Sequence, residues 1–173
     1  MSASHPPPRI NAAIPYLKER FLAASGASVL FLIACVAPAV HVVAVSREGS
    51  QGLERDIAGF ELLLTGWLGV FGLNFGWYAN PLLALATFLL MLGADRGALV
   101  AGSIAAVVGL SSLSWFVHPL PSDEGGVMYS ELLYPSLGFL CWMISLVIIP
   151  LVAFELSSRR KAQAAAPAPG LAP

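Results

Sequence analysis

Charge is scarce in this chain. Only 11% of its 173 residues are Asp, Glu, Lys or Arg, where a soluble domain carries roughly a quarter. Hydrophobic residues make up 57%, and the mean hydropathy is +0.78. A water-soluble globule of this size could not hide so much apolar surface without leaving large patches exposed. The net charge of -1 says nothing about partners, and no long basic run points to nucleic acid. Cysteine is nearly absent too. Cys35 and Cys141 both lie in apolar runs, so they read as small buried hydrophobes and not as a disulfide framework. There is no Gly-x-Ser-x-Gly, Walker loop, dinucleotide loop, zinc-protease motif or cysteine ligand pair. Nothing in the sequence assembles a nucleophile with a base, and we expect no enzyme.

What is present is a series of apolar runs separated by short polar clusters. No charged residue occurs from Phe21 to Ser46, and Ile57 to Ala94 contains only Glu61. Asp95 and Arg96 interrupt the pattern, Gly97 to Pro121 is free of charge, and a last run from about Leu132 to Phe154 ends before Arg159-Arg160-Lys161. One crossing of a hydrocarbon core takes roughly 20 helical residues. The first run exceeds a signal peptide's apolar region and reads as a retained signal-anchor helix. The long run is interrupted by Asn74, Gly76, Asn80 and Pro81. Asn80 is placed to cap a helix with Pro81 in its first turn, and Trp77 and Tyr78 suit headgroup depth.

These patterns predict an all-α polytopic transmembrane helical bundle. The membrane domain is 21–156, with apolar segments 21–46, 57–75, 78–94, 97–118 and 131–156. Residues 1–20 form a cytoplasmic tail, in which 11–20 suit a short surface helix with Lys18 and Arg20 near phosphates. Residues 157–173 form a second tail, basic and then Ala/Pro-rich and disordered. Four crossings, with 57–75 re-entrant or interfacial, put both basic tails and the Asp95-Arg96 turn on the cytoplasmic side and Asp123-Glu124 outside. The positive-inside rule favours this arrangement over five crossings, which remain the alternative. The implied location is a bacterial cytoplasmic membrane.

A few polar or small residues stand out. Glu61, Thr65, Gly69, Gly72 and Gly76 recur at helical steps and suggest a face for close helix packing, within this chain or against a partner. Asn74 and Asn80 are candidates for a turn or for a ligand headgroup. His41 and His118 fall at similar outward depths and are weak candidates for haem or metal, with Glu48, Asp123 and Glu131 as nearby carboxylates. Two histidines alone leave a zinc site incomplete, and the leading expectation is no cofactor. The chain is expected to be a structural or accessory subunit of a larger integral-membrane assembly. Its partners would be lipids and either other membrane subunits or further copies of itself. A small oligomeric carrier or channel, and a haem- or metal-binding membrane subunit, are the alternatives.

Overall fold

The computed structural model describes residues 14–46, 48–121 and 128–165. Helix α1 (Leu17–Val36) is followed by strands β1 (Pro38–Ser46) and β2 (Gln51–Ala58). A short helix α2 (Gly59–Thr65) continues as a 3-10 turn over Gly66–Gly72, and a second 3-10 turn (Gly76–Tyr78) leads into α3 (Ala79–Met91). Helix α4 (Asp95–Leu110) is prolonged by a 3-10 segment to Phe116, then come β3 (Leu120–Pro121), β4 (Met128–Pro135) and α5 (Leu137–Ala165). Three helices are long and apolar enough to cross a membrane: Leu17–Val36, Asp95–Phe116 and Leu137–Ala165. The apolar helix Gly76–Met91 is shorter.

The all-α expectation is corrected by an antiparallel sheet in the order β2-β1-β4-β3. The apolar segment 21–46 is not one helix. Pro38 lacks an N–H and pushes Ala37 to an extended conformation (ψ 156°), which stops α1 at Val36. Val40, Val42, Val43 and Val45 then supply β-branched side chains that suit a pleated strand. Pro135 marks the same switch in reverse, so that 131–156 begins as strand and α5 starts at Leu137. Two other boundaries also move. Residues 157–165, expected to begin a disordered tail, continue α5, and Leu17–Arg20 open α1 instead of ending a separate surface helix. Asp123, Glu124 and residues 1–13 and 166–173 lie outside the described residues.

The helices pack through small side chains. Ala98, Ala101, Gly102, Ala105 and Gly109 are buried on α4, at the three- and four-residue steps that place them on one face. They meet Leu146, Ile149, Pro150 and Ala153 of α5. A Cβ on Gly102 would lie 2.8 Å from Pro150 Cδ, so hydrogen is needed there for this approach. In lipid, where apolar surface gains nothing by leaving acyl chains, such close backbone contact is the main source of helix association. A glycine turn joins α3 to α4. Gly93 has φ +79°, and its N–H and that of Ala94 close onto Leu90 and Leu89 carbonyls, a left-handed helix stop.

The chain thus has two ends. One gathers the start of α1, the end of α3, the start of α4 and the C-terminal part of α5. The other carries the sheet, α2 and the 3-10 segments. A second small core lies under the sheet, where Val40, Val42, Ile57 and Leu132 close around Trp115.

Candidate functional site

At the sheet-bearing end the elements surround a cavity of about 1060 Å³. Its position follows from two close approaches. Gly59 lies against α1 so tightly that a Cβ would be 1.9 Å from the Ala34 carbonyl, and its N–H donates to Ala37 O at 3.1 Å. Gly76 lies against α4's extension, with Ser112 Cβ 2.6 Å from where its own Cβ would be. Between these anchors the chain 59–76 arches over the helix ends, held by Trp77 Nε1 donating to Leu63 O at 2.7 Å. Phe31, Leu63, Leu68 and Phe139 are among the many apolar side chains lining the space.

The polar groups on this wall are few. Asn74, expected in a turn or at a ligand, is buried, and its Oδ1 accepts from Gly76 N at 3.1 Å. Its Nδ2 reaches Ser112 O only at 3.5 Å. Asn80 makes no capping bond; its Oδ1 accepts instead from Trp142 Nε1 at 2.8 Å, tying α3 to α5. Glu61 is partly exposed and sits 3.7 Å from Arg55 Nη2. Ser111 and Ser112 hydroxyls donate to the Val108 and Gly109 carbonyls of their own helix.

The residues Glu61, Thr65, Gly69, Gly72 and Gly76 do not lie along one helix. The α-helix ends at Thr65, whose hydroxyl donates to Glu61 O at 2.7 Å, and the following turns are 3-10. Leu73 then takes φ +58°, and the change of pitch breaks the spacing that a continuous helix would keep. Gly69 serves the turn at Asn74, whose carbonyl lies 2.9 Å from the position of a Cβ, while Gly76 serves the contact with Ser112. The extended small-residue face is on α4, and its Ala98-Ala101-Gly102-Ala105-Gly109 spacing was available in the sequence.

His41 and His118 have different surroundings. His41 projects from β1 with Nδ1 2.7 Å from Asp56 and Nε2 3.3 Å from Glu54, both on β2, and its ring stacks on Tyr134 at 4.8 Å. The hydrogen bonds to Asp56 and then Glu54 raise its pKa above the usual 6.5. His118 is exposed beyond α4's extension. Among the described residues, no three His, Cys, Asp or Glu side chains converge on a metal position.

A second polar cluster lies at the opposite end. Arg20, expected near phosphates, is fully buried and corrected to a structural position. Its Nε donates to Pro15 O at 2.9 Å, and its Nη1 donates to Leu90 O at 2.7 Å and to Asp95 Oδ1. Arg160 donates to Gly93 O at 3.1 Å and lies 3.2 Å from the other Asp95 oxygen. One carboxylate therefore joins α1, the α3–α4 turn and α5. Chain separation hid this cluster, since charges at run ends read equally well as solvated termini.

No family model, curated protein or solved structure matches the chain. The arrangement itself is a helical bundle, three of whose helices are long and apolar enough to cross a membrane, with an ion-paired clasp at one end. A mostly apolar, asparagine-bearing cavity under a small sheet occupies the other.

Proposed function

We propose that this chain is an accessory subunit of an integral-membrane assembly, crossing the bilayer four times. Lys18, Arg96 and Gln163 face the cytoplasm, and the sheet lies outside. Support for four crossings comes from α3, which runs between the same two ends as α4, and from the segment 59–76, which begins at Ala37 and finishes at Ser112 on one end of the bundle. At 16 residues, Gly76–Met91 spans about 24 Å, and a modest thinning of the bilayer accommodates that.

The observation that carries the subunit reading is the outer surface of that arch. Phe71 is 80% exposed, Leu73 77% and Leu64 69%, and on β2 Leu53 is 88% exposed. Strand β2 has no partner on its outer edge among the described residues. An open strand edge suits a partner that adds backbone hydrogen bonds, and bulky exposed apolar side chains suit one that covers them. A carrier reading is weaker. A path from the cavity to the clasp would have to pass Leu83, Ala86 and Leu90, which are all closely packed.

The test is photo-crosslinking in native membranes from Leu53, Phe71 and, as a lipid-facing control, Phe154. A single reproducible protein adduct at Leu53 and Phe71, absent at Phe154, supports the reading. Lipid adducts alone at all three positions refute it.

A further inference from the structure

We propose that the cavity beneath the sheet binds an uncharged amphiphile, a long apolar chain whose head carries ester or ketone oxygens. This goes beyond the subunit reading and does not depend on it.

The volume and the walls set the size and character of the ligand. Ligand cavities fall in the range of roughly 300–1,000 Å³, and this one, at about 1060 Å³, has room for a substantial chain. Water would meet few polar partners on such walls, and water in a cavity needs several. The arch also offers an entrance from the side. Phe60, Leu64, Leu68 and Phe71 line the cavity and are 45–80% exposed. A chain dissolved in the surrounding acyl phase reaches the interior by displacing these accessible side chains.

The two asparagines set the chemistry of the head. An indole N–H can only donate, so the Trp142 bond fixes the Asn80 amide with its oxygen toward the indole. The Nδ2 of Asn80 makes no hydrogen bond within the described residues, which leaves two donors on a residue of the cavity wall. Asn74 is fixed likewise, because its oxygen accepts the Gly76 N–H and its Nδ2 has only the long 3.5 Å approach to Ser112 O. Amide donors in an apolar setting call for oxygen acceptors.

Charge selects the same class. Glu61 and Arg55 are the charged side chains on the wall, and at 3.7 Å they offset one another. An anionic or cationic head would have to break that pair or enter without a counter-charge, and either costs more than seating a neutral carbonyl. An acylglycerol and an isoprenoid quinone share this chemistry.

The experiment uses the purified full chain in detergent, with Trp67→Phe as background to remove the outward-facing indole. Fluorescence of Trp77, Trp115 and Trp142, all on the cavity wall, is titrated with a monoacylglycerol bearing a brominated chain. A short-chain quinone and the brominated fatty acid anion are titrated in parallel. Saturable quenching by the glyceride, the quinone or both, with the anion at least roughly tenfold weaker, supports the proposal; which neutral probe saturates identifies the source. Asn80→Asp keeps an acceptor for Trp142 and removes the Nδ2 donors, and should weaken the neutral probe by roughly tenfold, the scale of one lost buried hydrogen bond. Linear, non-saturating quenching by all three probes would reduce the effect to partitioning and overturn the proposal. Equal binding of the anion, or an Asn80→Asp variant that binds like the parent, would overturn it as well.

Discussion

Asp95→Asn should be among the most damaging single substitutions in this protein. Asp95 is 4% exposed and faces two guanidinium groups. Arg20, at 0%, has no access to water that could replace the lost partner, whereas the Arg160 side chain is 37% exposed and partly solvated. Breaking a buried ion pair by removing one partner costs about 3–5 kcal/mol, because the survivor is left charged and unpaired. The Arg160 half is closer to a surface pair and adds at most about 1 kcal/mol. The loss is therefore mostly the stranding of Arg20, and it should shrink when Arg20 is removed too. Unfolding of the four variants by SDS titration in mixed micelles gives the coupling: parent, Asp95→Asn, Arg20→Met and the double. The double variant should cost less than the sum of the singles by at least about 1.5 kcal/mol, within the range that contacting pairs show. Singles that each cost under about 1 kcal/mol and simply add would refute the clasp as a structural element.

Three further outcomes follow from the geometry. Hydrogen bonds to Asp56 and then Glu54 favour the protonated form of His41, so its folded pKa lies above 6.5. Its contribution is fully present below pH of about 6.5 and is lost as pH rises through the folded value. Thermal unfolding of the detergent-solubilised protein should show that loss, and His41→Gln should flatten it. Gly102→Ala should destabilise by about 1–3 kcal/mol, because the new methyl meets the rigid ring of Pro150 at 2.8 Å. Gly109→Ala should cost less, since its neighbour at 2.5 Å is the movable end of Leu146. Gly59→Ala puts a methyl 1.9 Å from a backbone carbonyl that cannot yield. It should free α2 from α1 and speed the reaction of Cys35, which lines the cavity, with an impermeant thiol reagent.

The long apolar helices were legible because composition and run length are local signals, and three of them are long and apolar enough to cross a membrane. The break near Phe75–Asn80 was legible from local signals too, through Asn74, Gly76, Asn80 and Pro81. The sheet was not. Residues 38–46 are as apolar as the helix before them, so hydropathy carries no boundary there, and only Pro38 and the run of β-branched valines mark the change. The site was legible in parts: Asn74, Asn80 and Glu61 all lie on the cavity wall, while the histidines have separate surroundings. Arg20, Asp95 and Arg160 could not be paired from one sequence, because ions 65 to 75 residues apart leave no periodic trace.

The four-crossing arrangement assigns each loop to one side of the membrane, and cysteine labelling in membrane vesicles of known orientation measures this directly. With Cys35 and Cys141 replaced, single cysteines at Lys18, Arg96 and Gln163 should share one side, and one at Glu54 should react with an impermeant maleimide only from the other. Labelling of Gln163 and Glu54 from the same face would contradict the four-crossing arrangement and everything assigned to the sheet-bearing end.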